Sequence, residues 1–168
     1  MLIDAHDSGR DAEARDAGLR RRFVRVAVLV AVLAAAHFAD HVVRGALVVS
    51  RGLDPTWNHS GWPFRSEFTP FSFSLILVYG ILLGGILFTR RGPLWAGFWL
   101  AATAVLSALV VYVHFLAGDF AESPAVIVGT YGNPASALPA LVVLFGMIGG
   151  LILMGINTLH ARNVSGRW

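Results

Sequence analysis

Several residue types that carry common protein chemistry are missing or scarce in this chain. Cysteine is absent, which excludes disulfides, thiolate metal sites, iron–sulfur clusters and thiol catalysis. Lysine is absent as well, so all 13 basic residues are arginines. Charged residues make up only 14% of the chain, whereas soluble domains contain about 25%. This scarcity of charge predicts an integral membrane protein.

Hydrophobic residues, by contrast, make up 56% of the 168 residues, and the mean hydropathy is +0.66. A membrane-spanning helix needs roughly 20 residues, so the chain has room for about four. We predict an all-α integral membrane bundle of four transmembrane helices. A polar tail (1–22) precedes the membrane domain (23–160), and a short tail (161–168) follows it. The predicted spans are about 23–50, 71–89, 94–117 and 135–159.

The arginines predict the orientation of the bundle. Ten of the thirteen lie in the leader and first turn, at Arg90 and Arg91, or in the C-terminal tail; only Arg44, Arg51 and Arg65 lie elsewhere. By the positive-inside rule both termini are cytoplasmic, which requires an even number of spans. The exclusive use of arginine, with abundant Ala, Val and Gly, indicates a GC-rich bacterial genome. We therefore expect a multi-pass protein of the bacterial cytoplasmic membrane.

A secretory signal at residues 1–36 is the alternative for the first apolar segment. Ala34 to Ala36 resembles a small-residue cleavage site. The acidic residues of the leader argue against a signal, as does the return of apolar sequence from Val42 onward. We favour a helix that continues to about Ser50.

The far half of the first span contains four ionisable residues, His37, Asp40, His41 and Arg44, called here the polar stripe. Their spacing places them on one helix face. Ionisable side chains within spans are energetically costly and usually face a protein interior or a water-filled cavity. The polar stripe therefore indicates a site inside the bundle.

Helix rise places a residue of the third span beside the polar stripe. At 1.5 Å per residue, His37 lies about 21 Å and His41 about 27 Å along the first span, and His114 about 31 Å along the third. Both spans run outward, so the three histidines are expected in the outer leaflet. Three loop residues could close over them as a lid: His59, Trp62 and Asp119.

A transition-metal or haem site is the leading hypothesis for this cluster. His37 and His41 can chelate one ion from one helix face, and Asp40 or His114 can complete the set. For haem b, one histidine of the first span and His114 would be the axial ligands. Arg44 would then bind a propionate, and its charge near the ligands favours haem, or another anionic ligand, over a bare ion.

Three other interpretations remain open. In the first, the protein is a structural or accessory subunit, and the polar stripe fixes helix packing, with Asp40 and Arg44 neutralising each other. In the second, the polar stripe belongs to a proton or ion relay, although no polar ladder reaches the cytoplasmic half. In the third, the protein is an enzyme acting on a lipid or quinone, with Asp40, His41 and His114 as acid–base groups.

The expected partners are the lipid bilayer and other membrane helices. Small residues at helical spacing allow close helix contact, and two such pairs occur, Gly80 with Gly84 and Gly146 with Gly150. These faces predict self-association or binding to other membrane subunits. A net charge of +3 is too small to indicate a nucleic acid.

Overall fold

The computed structural model describes residues 4–53, 70–118 and 121–165. Of these residues 91% are helical, and none forms a strand. The helices are α1 (Asp4–Arg51), α2 (Pro70–Arg91), α3 (Ala96–Val111), α4 (Pro124–Tyr131) and α5 (Pro134–Ser165). Four stretches are long and apolar enough to cross a membrane: Glu13–Arg51, Ser72–Arg91, Ala96–Leu116 and Pro134–Asn163. The predicted all-helical class is thus confirmed, and the four candidate spans suggest a multi-pass membrane protein.

The buried face of α1 follows one spacing along most of the helix. Its main buried positions alternate four and three residues apart, as in helices that pack at a shallow angle along one neighbour. They are Phe23, Ala27, Val30, Ala34, His37, His41, Arg44 and Val48. The polar stripe is buried because it continues the face that is apolar earlier in the helix.

The buried face of α5 has the same spacing and packs against α1. Its members are Ala137, Ala140, Leu144, Met147, Leu151, Met154, Thr158 and Ala161. A Cβ atom on Gly150 would lie 2.7 Å from Val30 Cγ2, and one on Gly146 would lie 3.6 Å from Leu33 Cδ1. The two helices are therefore antiparallel, and this glycine pair brings α5 close to α1.

The N-terminal residues extend α1 rather than forming a separate element. The helix begins at Asp4 and passes without interruption through Phe23, where the first span was predicted to start. Core residues lie on both sides of Ala36. The boundary at 22/23 is thus a change in composition, from charged to apolar, without a change in backbone conformation.

Many arginines gather at one end of the molecule. Arg20 Nη1 donates to the carbonyl of Gly92, in the turn between α2 and α3, at 3.1 Å. Arg15 and Arg22 border a surface cavity together with His160 of α5. Residues 15–22 of α1, the turn before α3 and the C-terminal part of α5 therefore lie together at this arginine-rich end.

Helix α3 changes its hydrogen-bonding pattern at its C-terminal end. Helix α3 passes at Tyr112 into a π-helical turn that ends at Leu116 and contains His114. The segment between the third and fourth predicted spans then contains α4, whose first turn is capped by the Ser123 hydroxyl accepting from the Val126 amide at 3.3 Å. Helix α4 ends at Gly132, which has φ of 82°, a conformation that suits glycine.

Candidate metal centre

Three imidazoles meet at the end of the molecule remote from the arginine-rich end. His37 and His41 come from α1 and His114 from the π-helical turn, and all three are buried. The Nε2 atom of His37 lies 3.1 Å from that of His41 and 3.2 Å from that of His114. One nitrogen from each ring can be chosen so that all three lie within 4.8 Å of one another. The structure thus brings together three histidines predicted to converge.

These distances can be compared with those of a metal site. In a tetrahedral zinc site with Zn–N bonds of 2.0–2.1 Å, two ligand nitrogens lie about 3.3 Å apart. The two short Nε2 separations, 3.1 and 3.2 Å, are close to that value. A small rotation of the rings that shortens the distance between the ligand nitrogens of His41 and His114 would complete a set of three histidine ligands. The cluster can therefore hold one ion.

The π-helical turn orients His114 through Glu122. The amide of Glu122 donates to the Val113 carbonyl at 2.8 Å. His114 Nδ1 lies 2.7 Å from the Glu122 carbonyl oxygen, which can only accept, so Nδ1 donates. The lone pair of His114 is therefore on Nε2, the atom that faces His37. Metal-binding histidines commonly have this second contact, which fixes the ring and its tautomer.

Arg44 connects His41 to two carboxylates. Its guanidinium is fully buried, and Nε donates to Asp40 Oδ2 at 2.7 Å. Nη1 binds the carboxylate of Glu122, which is also fully buried. Nη2 lies 3.2 Å from His41 Nδ1. With the carboxylates and the guanidinium ionised, this group has a net formal charge of one negative.

Asp40 is engaged in this network rather than in the group of three converging nitrogens. While Oδ2 binds Arg44, Oδ1 accepts from the hydroxyl of Tyr131, at the end of α4, at 2.6 Å. Burial and this hydrogen bond raise the pKa of Tyr131 to about 12. The contact joins α4 to α1 beside the histidines.

Neutral histidines cannot satisfy all the contacts around His37. Arg44 can only donate, so His41 Nδ1 accepts and a neutral His41 has its hydrogen on Nε2. His37 Nε2 would then have to accept from His41 and donate to His114, which one ring nitrogen cannot do. His37 Nδ1 is buried and has no hydrogen-bond partner among residues 4–53, 70–118 and 121–165. A cation between the Nε2 atoms would remove the conflict at His37 and His114.

A small cavity of about 60 Å³ adjoins all three imidazoles. Pockets that enclose drug-sized molecules measure about 300–1,000 Å³. A macrocycle such as haem therefore has no room between the rings as they stand, since the facing Nε2 atoms of His37 and His114 are 3.2 Å apart. The arrangement is better suited to a single ion than to haem.

The other predicted site residues have different outcomes. The expected lid, His59, Trp62 and Asp119, lies outside the described residues. Arg44, expected to bind a propionate, is instead bound by Asp40 and Glu122.

The sequence patterns assign no role to Glu122 or Tyr131, which both lie between the third and fourth predicted spans. The sequence does contain one signal for Glu122: Arg44 lies inside a predicted span with only one carboxylate, Asp40, near it along the chain. Such an arginine indicates that a second carboxylate from another segment binds it.

Comparison with known proteins identifies no relative of this chain. A scan of family models, a search of curated proteins and a search of solved structures each found no match.

Proposed function

We propose that this protein is a four-helix membrane bundle that binds one transition-metal ion through His37, His41 and His114 as a ligand-binding or redox-accessory centre. The observation that carries the proposal is the convergence of three buried imidazole nitrogens within 4.8 Å. Imidazole suits zinc, copper, iron and nickel.

The charge around the histidines supports a cation. Burying an ion is unfavourable unless opposite charge lies nearby. Asp40 and Glu122 together outweigh Arg44 by one negative charge, and Arg44 contacts His41 directly. Arg44 therefore does not oppose a bare metal ion, because the carboxylates of Asp40 and Glu122 neutralise its charge.

The position of the centre supports an outward-facing site. The arginine-rich end, with Arg20 beside Gly92 and Arg22 near His160, has the composition of a cytoplasmic flank. Both ends of the described chain, at Asp4 and Ser165, belong to helices that meet there. The histidines lie toward the opposite end, so we place them near the outer face of a bacterial cytoplasmic membrane.

A structural role for the same residues is the second candidate. The contact of Arg44 Nη2 with His41 Nδ1 favours it, since that contact puts the hydrogen of a neutral His41 on Nε2, where a metal ligand needs a lone pair. Metal binding through His41 Nε2 therefore requires Arg44 to move away or the ring to turn. In the structural role the polar network fixes the packing of α1 against α4 and the π-helical turn.

Metal binding by purified protein distinguishes the two candidates. Protein in mild detergent would be stripped with a chelator and titrated with zinc(II) and with copper(I). We expect one ion per chain, and we expect His114→Ala to lose at least about tenfold in affinity, since removal of even an outer-shell partner costs 10–100-fold.

The matched control is His160→Ala, an exposed histidine at the arginine-rich end. It should bind as the wild type does. A folded wild-type protein that binds neither ion would overturn the proposal in favour of the structural role. A Soret band in the protein as purified would instead establish haem.

A further inference from the structure

The small cavity beside the histidines borders the position that a bound metal ion would occupy. We propose that the metal centre keeps an open coordination position on the side of this cavity and that a neutral diatomic molecule, such as dioxygen, nitric oxide or carbon monoxide, binds there. The inference rests on the proposed function and specifies the class of ligand for that same site.

The number of ligands leaves a position open. Three protein ligands and a free fourth position are typical of zinc sites that react with small molecules, whereas structural sites have four protein ligands. Among the described residues the converging group has three members, His37, His41 and His114. The cavity is bordered by these same three side chains, so a fourth ligand would bind from it.

The size of the cavity limits what can bind. Its volume is about 60 Å³, whereas an apolar cavity of about 150 Å³ holds benzene, which has six heavy atoms. The space therefore accommodates two or three heavy atoms beside the metal. Lipids, quinones and amino acids are too large for it.

The cavity wall favours a neutral ligand. Among the described residues that border it, Ser74 has the only polar side chain apart from the histidines, and the others are apolar, including Phe38, Val110 and Met147. Asp40, Arg44 and Glu122 do not border the cavity. The single positive charge of copper(I) balances the net negative charge of Asp40, Glu122 and Arg44. An anion that enters this apolar cavity therefore meets no net opposite charge, whereas a neutral diatomic molecule needs none.

The wall also places the cavity next to the lipid-facing surface. Ser74 and Val78 of α2 and Val110 of α3 border it and are half-buried, and the neighbouring outward positions on those helices are exposed hydrophobic residues. A small apolar molecule dissolved in the bilayer can thus reach the site between α2 and α3 without crossing the charged network.

Carbon monoxide on the copper(I)-loaded protein is the test. Copper(I) coordinated by three neutral imidazoles can take carbon monoxide as a fourth ligand without any electron transfer, and the bound gas is detected by its C–O stretch in the infrared. We expect one carbon monoxide per copper in the wild type. Val110→Phe fills the cavity and should keep the copper while weakening carbon monoxide binding by about tenfold or more.

Two further variants make the outcome decisive. Ser74→Leu fills the cavity from α2, in case Val110→Phe disturbs α3. Val105→Phe is the matched control, because Val105 is an exposed residue of α3 that does not border the cavity. It should bind carbon monoxide like the wild type.

The outcomes separate the inference from the proposed function. Wild-type protein that binds copper(I) but gives no C–O stretch overturns the open position and leaves metal binding intact. Carbon monoxide binding that persists in both Val110→Phe and Ser74→Leu overturns the role of the cavity. Protein that binds neither ion overturns both proposals.

Discussion

Arg44 of α1 and Glu122, 78 residues later in the chain, form an ion pair in which both side chains are fully buried. Glu122 also accepts a hydrogen bond from His114 through its backbone carbonyl, and Arg44 contacts His41. The same ion pair therefore contacts both His41 of α1 and His114 of the π-helical turn.

Removal of the Glu122 charge should destabilise the protein. Breaking a buried ion pair by removing one partner costs about 3–5 kcal/mol, and we expect Glu122→Gln to lie near 3 kcal/mol because Asp40 still pairs with Arg44. Reversible unfolding in mixed micelles, without metal, measures the change. Glu13→Gln, at an exposed position, is the control and should lie within about 0.5 kcal/mol of the wild type. Equal stability of both variants would contradict the buried pair.

The two glycine pairs should respond oppositely to alanine. Gly150→Ala places a Cβ atom 2.7 Å from Val30 Cγ2, so α1 and α5 must separate, at a cost of about 1–3 kcal/mol. A Cβ atom at Gly80 has no described neighbour within 4 Å, and Gly80→Ala should raise helix stability by about 0.5–1 kcal/mol.

The same unfolding assay checks both glycine variants. A destabilised Gly80→Ala would indicate that the Gly80/Gly84 face is covered in solution, as the sequence prediction of self-association requires. In that case the variant should also shift the oligomeric state measured by light scattering.

Tyr131 should make stability fall at high pH. Because the pKa of Tyr131 is raised from its ordinary value of 10 to about 12, the folded state holds this proton more tightly than the unfolded state. The contribution of this tightly held proton to the free energy of unfolding is fully present below pH 10 and is lost as the pH rises through about 12. Phenolate absorbance and unfolding measured across this window report it.

Tyr131→Phe provides the comparison for that titration. It removes the phenolate transition near pH 12 and the part of the pH dependence that follows from it. The variant also leaves Asp40 Oδ1 without this donor, which should cost about 1 kcal/mol at neutral pH. An unchanged alkaline profile in Tyr131→Phe would show that the Asp40 contact does not hold the proton.

The absence of cysteine makes the orientation easy to test. Glu13→Cys and Ser50→Cys place single thiols at exposed positions near the two ends of α1. An impermeant maleimide added to right-side-out vesicles should label position 50 and spare position 13 until the membrane is opened. The reverse pattern would place the histidines on the cytoplasmic side and overturn the proposed topology.

Local patterns in the sequence determined the helices and two of the three histidines of the candidate site. Apolar runs of adequate length predict four spans, because backbone groups in lipid must bond within their own helix. The i, i+4 spacing of His37 and His41 fixes their common face, since helix geometry depends only on neighbours along the chain. Their burial likewise follows from the four-and-three spacing that begins at Phe23.

Contacts between distant segments were decided only in the tertiary structure. The π-helical turn that aims His114, and the return of Glu122 to Arg44, depend on how the chain after α3 folds back, which no short pattern encodes. Gly150 and Gly80 have the same local motif, yet only Gly150 meets a neighbour at close range. A motif states which surface can be approached closely, whereas the packing of the whole chain decides which surface is covered.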